Sequence, residues 1–248
     1  MPKRYSNPPI IEALCEFQFD EDVPWDLTLI GLIYDKLKDD FPKKQQLQLD
    51  LALAAATQAN QQIGPVPMIP LVRFLDKDEK KLVQIGQNLL TVNQLKPYES
   101  WEEFSPFIEK GIEAYHEIAR PKGFRHIGMR YINRIEVRRS NIDLENLFRF
   151  RPLIPSDLPQ DIEAFLIGVN LPYENAKDTL RIQIGTVNPD TPDMIVVILE
   201  ISYIFAKPEE IALKDVAKAL ETAHKHVENA FEICLTDELK QTFEEVKE

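Results

Sequence analysis

Three arginines at four-residue spacing, Arg130, Arg134 and Arg138, are the residues whose type and interval could most readily act together. They lie in and just after the stretch 127–137, Ile-Gly-Met-Arg-Tyr-Ile-Asn-Arg-Ile-Glu-Val. In an extended strand Ile127, Met129, Tyr131, Asn133, Ile135 and Val137 share one face, and His126, Gly128, Arg130, Ile132, Arg134, Glu136 and Arg138 share the other. At about 3.3 Å per residue the guanidinium groups fall roughly 13 Å apart. Such a row recognises carboxylates or phosphates through charge-assisted hydrogen bonds; it does not make or break bonds.

The row belongs to a basic island. Residues 120–151 hold Arg120, Lys122, Arg125, Arg130, Arg134, Arg138, Arg139, Arg149 and Arg151 against only Glu136, Asp143 and Glu145, in a chain of net charge −12. An acidic whole disfavours indiscriminate nucleic-acid binding. The island is either paired internally with acidic helices or forms a site for something anionic: a phosphate, a nucleic-acid backbone or an acidic protein face. Glu12, on the polar face of an early strand, is solvated or pairs with an arginine of the row.

No bond-making constellation accompanies it. The eight glycines include no G-x-G-x-x-G or Walker A spacing. His224 and His226 lie about 200° apart around a helix and cannot readily grip one metal. His224 falls beside an apolar stripe and reads as a hydrogen-bonded, partly buried histidine. Cys15 and Cys234 sit in apolar patterns, as free buried thiols do. Asp39-Asp40, Glu102-Glu103 and Glu244-Glu245 read as solvated helix faces. The sequence therefore predicts no catalytic residue, no metal and no cofactor.

Asn133 is the odd residue on the apolar face of the arginine strand. A buried amide left unsatisfied costs about 1–3 kcal/mol, so it finds a structural partner or, with Tyr131, lines a cavity between sheet and helices.

The elements that must position these residues follow from periodicity. Tyr5-Ser6-Asn7-Pro8-Pro9 is stiff, and Cys15, Phe17 and Phe19 then alternate with Glu16 and Gln18 as a half-wet strand. Asp22 and Pro24 open a helix whose Leu29, Leu32, Ile33, Leu37 and Phe41 recur at helical spacing, and Pro42 ends it. Leu47 to Leu53 alternate as a strand, and residues 54–69 read as a loop. Strands at 71–75, 82–86 and 89–95 form an antiparallel meander. Ser100 with Glu103 is a capping-box pattern opening a helix that runs to Ala119. After the arginine strand come a short helix at 142–148 and strands at 165–171, 180–184 and 194–205; the run at 195–198 implies burial on both faces. Pro208 opens the last long helix, which ends near Cys234, and Thr236 caps a final short one carrying Leu239, Phe243 and Val246.

The predicted fold class is therefore α+β: a β-α-β(3–4)-α unit occurring twice, 1–121 and 122–248, packed as one continuous unit. Its halves form a curved antiparallel sheet backed by long helices, in a saddle or helix-grip plan. The content, 44% hydrophobic and 28% charged, is that of an ordinary soluble domain, with no span of about 18 apolar residues and no apolar leader. A cytoplasmic location is the expectation.

Tyr5-x-x-Pro8-Pro9-Ile10-x-Glu12-Ala13, Thr91-Val92-Asn93 with Tyr98-x-x-Trp101, and Gly128-Met129-Arg130-Tyr131-Ile132-Asn133-Arg134 together resemble the motifs of a sporadically distributed prokaryotic family of about this length. The resemblance covers essentially the whole chain. It implies one full-length unit and adds no mechanism, since the family has no established activity or catalytic residues; its patchy distribution fits an accessory role in defence against mobile elements.

The functional expectation is a non-catalytic interaction protein or accessory subunit whose partner is another protein. Its docking residues would be Arg130, Arg134, Arg138, His126 and Glu12. Binding of nucleic acid or another polyanion on the arginine face is the first alternative, though Gly128 and Ile132 stand where stacking aromatics would be wanted. A small apolar ligand beside Tyr131 and Asn133 is the second. No membrane contact is expected, and the oligomeric state is left open.

Overall fold

The first strand shows how the chain sorts itself. Across Ile10–Phe19 (β1), Ala13, Cys15, Phe17 and Phe19 are fully buried, while Glu12, Leu14 and Glu16 are only half-buried and Gln18 is exposed. Period-two alternation thus commits one face to a core and leaves the other polar. The computed structural model describes residues 5–20, 25–48, 70–138, 144–173 and 178–245.

After β1 come α1 (Leu27–Leu37), β2 (Lys43–Gln48), β3 (Pro70–Leu75), β4 (Lys81–Gly86), β5 (Leu89–Leu95) and α2 (Trp101–Ala119). The arginine strand β6 (Phe124–Arg138) follows, then α3 (Leu144–Leu147), β7 (Leu166–Tyr173), β8 (Asp178–Val187), β9 (Met194–Phe205), α4 (Val216–Cys234) and α5 (Asp237–Gln241). The nine strands form one antiparallel sheet in the order β2-β3-β4-β5-β1-β6-β9-β8-β7. The α+β class with an antiparallel sheet is as expected, and β1 and β6 are its neighbouring central strands.

The long helices pack on the face carrying Cys15, Val92, Met129 and Ile201: α1 lies on α2 and β3, α2 on β5, and α4 on β6 and β9. Phe19 stacks on Tyr115 of α2 with ring centroids 4.3 Å apart, and Trp25 also stacks on Tyr115, at 6.3 Å. Gly111 permits close seating of α2, since a Cβ there would come within 3.0 Å of the Val92 side chain. Phe148, Leu235, Leu239 and Phe243 join the same core from the C-terminal end. No described α-helix packs on the opposite face of the sheet.

Local signals account for most boundaries. Ser100 accepts from the Glu103 amide at 3.3 Å, and Arg120 ends α2 in the left-handed conformation. Ser100→Ala is expected to lower stability by about 1 kcal/mol, visible as a lower urea midpoint at unchanged slope. Thr236 caps α5 as expected. Of Ile195–Ile198, Val196 and Val197 are buried although they face opposite sides of the sheet.

Three boundaries differ from the expectation. The first helix starts after Asp26, whose side chain caps the Thr28 amide; Asp22 and Pro24 lie outside the described residues. The second strand begins at Lys43, because its amides find partners along β3 despite a polar sequence, and residues 49–53 lie outside the described residues. Pro208 opens a single 3-10 turn rather than α4; Ile211 is extended and packs against the core, and a second 3-10 turn, Leu213–Asp215, precedes the α-helix. Val246 also lies outside the described residues.

Candidate functional site

The helix-free face takes its chemistry from the register of its central strands. Leu14 on β1 stands opposite Asn93 of β5 on one side and Arg130 of β6 on the other. Glu12 and Glu16 flank Leu14 along β1, and Glu16 faces Thr91. Beyond Arg130, Ser202 of β9 and then Arg181 of β8 continue the same transverse row. Two sites predicted far apart in sequence, Glu12 and Arg130, are thus brought together. A depression of about 260 Å³ lies between them, lined by Glu12, Leu14, Glu16, Leu71, Gln84, Leu89, Thr91, Asn93 and Arg130.

Its polar groups are ordered by a directed chain of hydrogen bonds across four strands. Arg73 Nε donates to Gln84 Oε1 at 2.8 Å, Gln84 Nε2 donates to Asn93 Oδ1 at 2.9 Å, and Asn93 Nδ2 donates to Glu12 Oε1 at 2.6 Å. The cation at one end and the carboxylate at the other fix both amide orientations between them. Glu12 is therefore held by Asn93 and not by an arginine of the row.

Two of the three arginines, Arg130 and Arg134, are paired, and not by helices. Arg130 Nε lies 3.5 Å from Glu200 Oε1 on β9. Arg134 donates to Glu136 and to Asp190, both at 2.7 Å, which holds its guanidinium more firmly protonated than usual. Arg138, at the exposed end of β6, has no ion-pair partner among the described residues. His126 shares the face, with Nε2 3.8 Å from Glu16 Oε1. Burial pulls its pKa below the ordinary value, against the attraction of Glu16.

Tyr131 and Asn133 point to the helix side, away from the arginines. The Tyr131 hydroxyl lies 2.9 Å from the Tyr98 hydroxyl and 3.1 Å from His224 Nδ1. The His224 ring stacks on Trp101, whose indole N–H donates to Glu221 at 2.5 Å. Burial pushes the His224 pKa down to about 4, so its imidazole is neutral at neutral pH. Asn133 Nδ2 donates to the Leu199 carbonyl at 3.1 Å, while its Oδ1 has no partner. Burial raises both tyrosine hydroxyls far out of titration range and does the same to the Cys15 thiol. Cys15 and Cys234 are free and buried. These are groups that stiffen a core; none is an activated nucleophile.

Sequence reasoning passed over Gln84, Thr91, Asn93 and Glu16 as site residues. The signal was available in β5, where Thr91 and Asn93 alternate with the apolar Leu90 and Val92 yet are themselves buried. Among the described residues no three His, Cys, Asp or Glu side chains are placed to hold a metal ion, and no helix is long and apolar enough to cross a membrane. No protein-family model matches the chain, and no curated protein matches it at a significant level.

Proposed function

We propose that the chain is a non-catalytic binding module, an accessory subunit that docks a partner protein across the helix-free face of its sheet. One observation carries this reading: the nine-stranded sheet keeps its long helices on one side and presents on the other a central depression lined by Glu12, Glu16 and Arg130. Charges of both signs interleave there, since Arg130 is matched by Glu200 and Arg134 by Glu136 and Asp190. A surface of mixed sign suits a protein face of complementary pattern; a uniformly negative nucleic-acid backbone would want unpaired cations.

The continuous central pair β1–β6 is taken as the junction of two duplicated halves, 1–121 and 122–248. Support comes from the strand order, in which β5, β4 and β3 run outward from β1 as β9, β8 and β7 run outward from β6.

The test is affinity purification of the tagged protein from its native cells, beside Arg130→Glu with Arg134→Glu, after nuclease treatment. Unchanged far-ultraviolet circular dichroism would certify the fold of the double variant. A stoichiometric protein captured by the wild type and lost from the variant is expected. The same protein held equally by both would overturn this use of the face, and capture that nuclease abolishes would transfer the reading to nucleic acid.

A further inference from the structure

We infer that β7 is an interface for a second copy of this chain, pairing antiparallel with its twin about a two-fold axis at Val169 so that one sheet runs through both protomers. The inference stands apart from the docking reading, because it uses the edge of the sheet and not its face.

The two edges of the sheet are built differently. β2, at one end, carries Lys43 and Lys44, charges of the kind that keep an exposed edge from pairing. β7, at the other, reads Leu-Ile-Gly-Val-Asn-Leu-Pro-Tyr, with no Asp, Glu, Lys or Arg. Leu166 is 75% exposed and Leu171 40%. The outer N–H and C=O groups of β7 make no hydrogen bond among the described residues. An uncharged, partly apolar edge of this length is a template for another strand. The chain itself is not placed to supply one. Residues 49–69 begin and end beside β2, about 38 Å away at about 4.8 Å per strand. No other stretch outside the described residues exceeds five residues.

The backbone settles which groups face outward. The Phe165 carbonyl accepts from the Thr186 amide at 3.0 Å, so Phe165 and every second residue after it bond toward β8. Leu166, Gly168, Asn170 and Pro172 turn their backbone groups out, which suits a proline that has no N–H to give.

A two-fold antiparallel pair centred on Val169 overlaps the whole of Leu166–Pro172. Gly168 of one protomer then exchanges both backbone hydrogen bonds with Asn170 of the other, and Leu166 donates to the Pro172 carbonyl. The donor that proline lacks is thus missing only at the two ends. Ile167, Val169 and Leu171 lie on the helix-bearing face, opposite Ile184, Ile182 and Leu180. There Val169 meets its twin and Ile167 meets Leu171, while on the other face Leu166 meets Pro172. Apolar side chains meet apolar ones at each of these positions. In a chain of net charge −12 two copies repel on average, and this strand brings none of that charge to the contact. That self-complementarity commits the edge to a second copy.

The experiment is sedimentation equilibrium of the full chain, with amide hydrogen exchange at low and high protein concentration. A reversible dimer is expected. The Leu166, Gly168 and Asn170 amides should gain protection as it forms, while those of Ile167, Val169 and Leu171, bonded to β8, are protected throughout. Asn170→Pro removes a donor that points away from β8, and Leu171→Lys puts a charge at an exposed edge site. Each should weaken association about tenfold or more at unchanged circular dichroism. A chain monomeric to about 1 mM, a dimer whose three outward amides stay unprotected, or one that either variant leaves intact would overturn the inference. So would an open-ended polymer, in which β7 meets a different surface. A monomer whose affinity-captured partner protein is lost from Asn170→Pro would assign the edge to a strand of that partner instead.

Discussion

Phe19→Ala is expected to destabilise the protein by about 3–5 kcal/mol, the usual cost of truncating a fully buried aromatic. Phe19 is 1% exposed at the end of β1. Its ring stacks on Tyr115 at 4.3 Å and lies 5.3 Å from Phe124 at the start of β6. The side chain therefore joins the two central strands to α2, and neighbouring rigid elements leave the void little chance to collapse. Against a total stability of about 5–15 kcal/mol, the loss is large enough to move the thermal midpoint by many degrees. Urea unfolding of the purified variant measures it. A cost below about 1 kcal/mol would mean that the Phe19–Tyr115 stack is not part of the folded core. Gln18→Ala, one residue away but exposed on the opposite face, should change stability little.

The contrast between Phe19 and Gln18 also explains what could be read before the structure. Alternation decides faces, so the split of β6 into an arginine side and a Tyr131 side was legible, as was the wet side of β1. Local chemistry decides caps, so Ser100 and Thr236 were legible too. Sheet order is a different matter. Placing Glu12 beside Asn93 and Arg130 depends on β1 inserting between β5 and β6, a non-local pairing that no local periodicity encodes. The partners of the arginines were misplaced for the same reason: Glu200 reaches Arg130 through the β6–β9 register, and Asp190 reaches Arg134 from the turn before β9. Pro208 misled because a proline suits the first turn of any helix, and here the turn stops at Ile211, which is extended and packs partly buried against the core.

Removing the carboxylate of Glu228 should stabilise the protein at alkaline pH and do nothing at acid pH. Glu228 lies on α4; burial first, then the carboxylates of Glu232, Glu102 and Glu221, raise its pKa from 4.5 to about 7. A raised acid binds its proton more tightly in the folded state, so its contribution is fully present below pH 4.5 and is lost as pH rises through about 7. His224, one turn earlier on the same helix, has the opposite sign. Its pKa falls from 6.5 to about 4, so its contribution is present above pH 6.5 and is lost as pH falls through about 4. With the His224 proton on Nε2, Nδ1 accepts from Tyr131, and protonating Nδ1 would break that bond. The two groups oppose each other between about pH 4 and 7, which flattens the wild-type profile and hides both. Glu228→Gln separates them. Since Glu228 keeps some contact with water, a gain of about 1–2 kcal/mol is expected at pH 8, shrinking to nothing near pH 4. The variant, stripped of the rising limb, should then show the His224 loss alone as pH falls below 6.5. Urea midpoints across that range make the comparison, and a Glu228→Gln difference that does not vary between pH 4 and 8 would show that the carboxyl does not titrate there.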